Sequence, residues 1–342
     1  MTTAHRESET SARRQTTMRA AVADRFGAPE VVRVADVPRP EAEPNELLVR
    51  VHASTVSIAD HRLRTREVPR GLGLVVGPTI GFFRPRMRVL GMEAAGVVEA
   101  VGADVTRFAP GDEVFLMRGA SFGGHAEYVT IAESGEVAHK PANLSFDEAA
   151  AVIFGGHTAI RYLAQVEIRP GTEVLVNGAS GAVGSAVVQL ASQRGAAVTA
   201  VTSGRNAELV RSLGAAHVVD YTRDDFAAAG SDARYDVVVD CVGNAPFERV
   251  AHLIRPGGAL LLVIADLRGM LAAGRQTRRS GIRVDHRGGE MGADGMARLA
   301  VLAESGALRP IIDRTYALDD IVEAHRYVDT GRKRGSVVLR IA

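Results

Sequence analysis

The stretch VLVNGASGAVGSAVVQLA (174–191) decides the fold. An apolar run turns through Gly178, Gly181 and Gly184, spaced three apart, and enters a helical pattern. Against the usual G-x-G-x-x-G turn, Ala179 takes the first glycine slot. Gly181 would let a backbone approach a pyrophosphate, and Gly184 would let helix and strand pack closely. The start of the following helix then offers free amides and the positive end of its dipole to an anion. Ala179, Ser180, Gly181, Ala182, Val183 and Gly184 are therefore candidate cofactor contacts. The alternative is a tight turn with no ligand.

Downstream, apolar strands alternate with helices. AAVTAVT (196–202), HVVDY (217–221), YDVVVDCVG (235–243), GALLLVIA (258–265) and GIRVDH (281–286) are separated by helical segments at 186–194, 206–214 and 246–254. Fully apolar strands in that alternation predict a buried parallel sheet with helices on both faces. The end of its second strand selects the cofactor. An NAD site wants a carboxylate about 20 residues past the turn, but Ser203 stands there and no acid follows until Glu208. Ser203, Arg205 and Tyr221 instead offer a hydroxyl, a guanidinium and a ring to a 2′-phosphate, so the expected cofactor is NADPH. Arg205 as a mere solvated residue is the competing reading.

The half before Lys140 is mainly β, with short runs at 31–37, 46–54, 94–102, 110–115 and 123–131. At Ser145 the pattern changes: Ser145 and Glu148 stand in capping-box spacing before a helical run. Two helical segments near 298–306 and 319–328 precede a last strand at 336–342, expected to pack back on the β-rich half. The polar residues 1–17 are expected to form a disordered tail, and 71–83, glycine-rich and broken by Pro78, a loop.

The 342 residues suit roughly two domains. Forty-one basic against forty acidic residues create no field selecting nucleic acid or an anionic membrane. Cys241 is the sole cysteine, which excludes an internal disulfide and a multi-cysteine zinc site. No run approaches the length of a membrane span, so a cytoplasmic protein is expected.

These residues, with LGMEAAGVVEAVGADVTRFAPGDEVF (90–115) and LRPIIDRTYALDDIVEAHRYVDTGRKRGSVVLRI (308–341), resemble the medium-chain dehydrogenase/reductase superfamily, nearest its zinc-independent quinone oxidoreductase and enone reductase branch. The resemblance implies an α/β protein: a doubly wound parallel Rossmann sheet plus a GroES-like, partly open β-barrel. It places the catalytic domain at 18–150, the Rossmann domain at 151–290 and a return to the catalytic domain at 291–342. It carries over Thr158, Val242 and Lys333 as cofactor contacts.

Where zinc-dependent relatives carry ligands, this sequence has Ser57, the triplet Gly91–Met92–Glu93, and Phe154, so no metal is expected. Ser57 and Arg62 stand near the branch's usual cleft Asn and Tyr, and His157 where a helix enters the cofactor cleft; these three are the candidate chemical residues, with an ordinary packed histidine the alternative at His157. Arg62 would polarise a carbonyl, bind an acidic substrate or only pair with a neighbour; Asp60 reads as structural. Phe82 and Phe83 would wall the site or pack on the barrel. The arginine-rich 268–287 segment is expected to form a surface loop and dimer-edge strand, without nucleic-acid binding, in a homodimer. The function implied is hydride delivery from NADPH to a quinone or α,β-unsaturated carbonyl. A zinc-free alcohol dehydrogenase or carbonyl reductase, or a non-catalytic NADPH-binding protein, are the alternatives.

Overall fold

The computed structural model describes residues 16–228, 235–291 and 294–341. The expected tail falls almost wholly on residues 1–15, outside the described residues. Residues 16 and 17 of that stretch are described, and β1 (Thr17–Ala23) pairs from Thr17 onward with β2 (Val32–Pro38).

The barrel domain continues through β3 (Glu46–Val56), α1 (Ile58–Thr65), α2 (Gly73–Ile80), β4 (Glu93–Val101), β5 (Glu113–Met117), β6 (Tyr128–Ala132) and β7 (Val137–His139). Helix α2 occupies the segment expected to be a loop. Proline removes one backbone donor there, yet Gly77 before it has no Cβ to clash with the pyrrolidine ring, and the apolar run closes a short helix. Gly77 also makes room for Phe82, whose ring would lie 2.4 Å from a Cβ there; Phe83 is almost fully exposed.

Next comes α3 (Phe146–Leu163), opened by Ser145. The Glu148 carboxylate accepts from the Ser145 backbone amide at 2.9 Å, and the Ser145 hydroxyl accepts from the Glu148 amide at 3.3 Å. Such a cap contributes about 1 kcal/mol. The helix is buried on most of its circumference, since barrel residues Ala53, Ala95 and Phe115 share one core with Val174 and Val176 of the next sheet. It joins the two halves as a shared wall.

The second half comprises β8 (Glu173–Asn177), α4 (Ala182–Gln193), β9 (Ala197–Thr202), α5 (Ala207–Ser212), β10 (His217–Asp220), β11 (Tyr235–Asp240), α6 (Phe247–Val250), β12 (Ile254–Leu262), α7 (Leu267–Ser280) and β13 (Arg283–Asp285). Its six strands are parallel in the order β10-β9-β8-β11-β12-β13. The order reverses between β8 and β11, and open α/β sheets bind ligands at that crevice. Helix α7 was unexpected: its arginines make the segment polar overall, but Asp266 caps its start and Gly281, in left-handed backbone, ends it.

The chain then returns through α8 (Gly295–Glu304), β14 (Ile312–Ala317), α9 (Ile321–Asp329) and β15 (Ser336–Arg340). β15 pairs antiparallel with β3 and parallel with β14, completing a sheet ordered β14-β15-β3-β4-β5-β7, with β6 also on β3. A GroES-like barrel and a Rossmann sheet thus form one α/β molecule.

Candidate active site

β8 carries three buried aliphatic residues and ends at the glycine turn. Gly178 lies at φ +81°, where a Cβ would stand 2.7 Å from Val242, so both backbone and space call for glycine. Gly184 is tighter still: a Cβ would overlap the Gly178 carbonyl oxygen at 2.2 Å. Gly181 is the N-cap of α4, and a Cβ there would meet nothing closer than 3.5 Å. That open face beside a helix N-terminus fits an approaching pyrophosphate.

Around it, Ser180 accepts hydrogen bonds from the Thr202 hydroxyl at 2.9 Å and the Asn206 amide at 3.0 Å, and Asn206 also donates to the Ser203 hydroxyl at 3.2 Å. The Oδ1 of Asn206 is buried with no partner among the described residues. A buried acceptor without a donor is costly, and a ligand hydroxyl would supply one. Sequence reasoning missed Asn206; its signal was an amide just past the second strand.

Arg205 is exposed, donating to the Arg332 carbonyl at 3.2 Å. The two arginines share a cavity of about 650 Å³ with Asn206, Arg314, Arg334 and Asp313. Asp313 is already engaged, by the Tyr327 hydroxyl at 2.6 Å and the Arg334 amide at 2.8 Å, and these donors hold its carboxyl below the usual range despite burial. Tyr221 stands exposed where β10 ends, its amide bonded to the Thr202 carbonyl.

Lys333 lies on the segment stitched to the glycine turn, where the Gly335 amide donates to the Ser180 carbonyl at 2.8 Å and Gly335 bridges Gly181. Its ammonium donates to the Gly335 carbonyl at 2.6 Å, and burial pushes its pKa down to about 8. Thr158 is half-buried on α3, one turn beyond Gly155, which has no Cβ and abuts Ala182 at the start of α4.

Between the domains lies a cleft of about 770 Å³, walled on the barrel side by Ile58, His61 and Arg62 and on the Rossmann side by Val242 and Ile264. Val242 is held by Asp240, a fully buried carboxylate that accepts from the amides of Val242, Gly243 and Ala245 and from Asn177, all within 3.0 Å. An acid ending an apolar strand was the unused sequence signal for that loop. His61, also unanticipated, hydrogen-bonds Asp329 at 2.7 Å and Glu67 at 3.3 Å.

Of the three candidate chemical residues, only Arg62 lines this cleft. The Ser57 hydroxyl caps α1 and donates to Asp60 at 2.8 Å, while Asp60 also accepts from the Gly91 amide at 2.7 Å. His157 is buried and pairs with Glu136 at 2.9 Å. Nearby Glu93 is fully buried; burial, then the Asp60 charge, pushes its pKa up to about 8 although Thr55 donates to it.

Residues 43–142 match the family model "Alcohol dehydrogenase GroES-like domain", and residues 213–339 match "Zinc-binding dehydrogenase". The chain is 32% identical over 326 residues to 2-methylene-furan-3-one reductase of Solanum lycopersicum, covering 92% of this chain and 76% of that protein. It is 30% identical over 365 residues to the mitochondrial NAD(P)H oxidoreductase RTN4IP1 of Mus musculus, covering 97% and 91%. The solved quinone oxidoreductase from Coxiella burnetii superposes with a TM-score of 0.83 at 28% identity, covering 95% of this chain and all of that one.

The zinc that the second model's description implies does not fit the side chains present. Ser57 is engaged as a cap, and Met92 and Phe154 pack against apolar cores. None supplies a thiolate or imidazole. Among the described residues no group of three His, Cys, Asp or Glu is placed to hold a metal. The glycine turn, the open crevice and the relatives together make this chain an oxidoreductase that uses a nicotinamide cofactor, and it belongs to the medium-chain dehydrogenase/reductase superfamily.

Proposed function

We propose that the chain is an NADPH-dependent, zinc-independent reductase that delivers hydride to a quinone or an α,β-unsaturated carbonyl. The observation that carries this reading is the arginine-lined cavity beyond β9, where Arg205 and Arg332 face outward and the one acid, Asp313, is already engaged. Such a cavity suits a 2′-phosphate better than a bare hydroxyl. NADPH, when bound, supplies the hydride.

The protein's own contribution is orientation. The glycine turn and the start of α4 receive the pyrophosphate, Val242 and Ile264 wall the cleft, and Arg62 presents a guanidinium to the acceptor. Side chains of the kind at Ser57, Met92 and Phe154 give no Lewis acid to an alcohol, so an acceptor already activated by conjugation suits the cleft. The tomato relative, named for an exocyclic methylene beside a ketone, supports the same class.

NADPH absorbance with a panel of quinones, enones and aldehydes tests the reading, with product analysis separating C=C from C=O reduction. Consumption with enones or quinones is the expected result. Turnover of aldehydes alone would make the protein a carbonyl reductase, and tight NADPH binding without turnover would make it a binding protein.

Purified protein is expected to hold no stoichiometric zinc and to keep its activity in chelator. One tightly held zinc per chain would overturn the reading of Ser57, Met92 and Phe154. We also propose a homodimer, because β13 leaves an edge of three residues that pairing across a two-fold axis would cover. Light scattering at micromolar concentration should give twice the chain mass; a monomer would refute it. Among the described residues no helix is long and apolar enough to cross a membrane. A cytoplasmic location is part of the proposal, with cell fractionation as its check, since the mouse relative is named mitochondrial.

A further inference from the structure

The charged groups lining the interdomain cleft divide sharply by sign. Each of its carboxylates is engaged within the protein. Asp240 has four donors, Asp266 caps α7 through the Gly269 amide at 2.7 Å, Glu248 accepts from Gln276 at 3.2 Å, and Glu67 meets His61. Its three arginines are not. Arg62, Arg70 and Arg268 line the same cleft, and their guanidinium groups make no hydrogen bond or ion pair with any described residue.

Arg64, two positions after Arg62 on α1, shows how this chain treats a structural arginine. It is fully buried, donates to both Asp329 oxygens at 2.6 Å and reaches the Gly27 carbonyl at 2.5 Å. Arg62 is half-buried with no such partner, and desolvation lowers its pKa. A partly desolvated cation without an anion is unfavourable, so its partner is expected to come from the ligand. Arg70 and Arg268 stand exposed at the rim, brought together where the Leu267 amide donates to the Arg70 carbonyl at 3.0 Å.

We propose that the cleft selects acceptors bearing an oxyanion, a carboxylate or a phosphate, which Arg62 binds within the cleft while Arg70 and Arg268 attract it at the entrance. This rests on the reductase reading and sharpens it from an activated carbonyl to an acidic one.

Two pairs of probes distinguish the sources of charge. (E)-4-Oxopent-2-enoate against its methyl ester tests a carboxylate, and crotonyl-coenzyme A against the crotonyl thioester of N-acetylcysteamine tests a phosphate. The charged member of at least one pair should be favoured about ten- to hundredfold in kcat/KM, the range of a charge-assisted hydrogen bond. That ratio should fall toward one in Arg62→Gln and recover in part in Arg62→Lys. Arg268→Gln, on the opposite wall, serves if Arg62→Gln fails to fold.

Equilibrium binding separates this inference from the one beneath it. Calorimetry of the NADP⁺-saturated protein would compare 4-oxopentanoate with its methyl ester, and coenzyme A with N-acetylcysteamine. Selective binding of a charged probe without any NADPH oxidation would sink the reductase reading and leave the oxyanion site standing. Oxidation of charged and neutral acceptors alike, or an equal loss for both in Arg62→Gln, would overturn the oxyanion site and leave the reductase.

Discussion

Replacing Gly184 with valine is expected to weaken NADPH binding at least a hundredfold and to lower the melting temperature by several degrees. A Cβ at this position would lie 2.2 Å from the Gly178 carbonyl oxygen and 2.8 Å from Ala179 Cα. Both are backbone atoms, so no rotamer change relieves the overlap. Helix α4 must move off β8, and forced overpacking of this kind costs about 1–3 kcal/mol or more. The larger effect falls on the cofactor, because the amides that open α4 move with it. Losing two charge-assisted contacts of about 1.5–3 kcal/mol each accounts for a hundredfold or greater loss.

Gly181→Ala is the informative control. Its φ of −77° suits any residue and its Cβ would meet only the Gly178 oxygen, at 3.5 Å, so the fold should hold while cofactor affinity falls. Calorimetric melting and NADPH fluorescence titration read both variants. Binding by Gly184→Val within threefold of wild type would show that the turn does not carry the cofactor.

Arg205→Ala is the second large effect, and a selective one. If the guanidinium holds the 2′-phosphate, it makes a charge-assisted contact worth roughly 1.5–3 kcal/mol that NADH cannot offer. NADPH affinity should then fall about 10- to 150-fold while NADH affinity barely moves. Because Arg205 is exposed, the NADPH preference should also decline as salt rises. An equal loss for both cofactors would mean that its bond to the Arg332 carbonyl holds the loop in place, and the NADPH assignment would lose its support.

What the sequence revealed, and what it hid, follows from range. The glycine turn, the parallel strands and the Ser145 cap are local patterns, and the structure shows each of them. Helix α2 was hidden because proline is a strong local signal, and only the bare Cα of Gly77 shows why the helix survives it. Helix α7 was hidden because its many arginines make the segment polar overall, although both of its end signals stood in the sequence. Ser57 and His157 have residue types suited to chemistry, yet their roles depend on partners close to Ser57 and further from His157, Asp60 and Glu136. Arg62 is distinguished by the opposite fact, the want of a partner, which no reading of neighbours in sequence can reveal.

The pairing of β15 with β3 sets an order of assembly during synthesis. Val56 meets Val337 and Ala53 meets Arg340, so the end of β3 stays open on one flank until β15 has been made, while its first half pairs earlier with β6. The Gly335 bond to Ser180 ties the nucleotide turn to the same late segment. The parallel sheet, by contrast, is built from strands close in sequence and needs no such wait. The end of nascent β3 thus carries an unpaired edge until then, the condition under which strands recruit wrong partners and chaperones become necessary. Of the two large sheets, the one whose strands begin first is the one completed last.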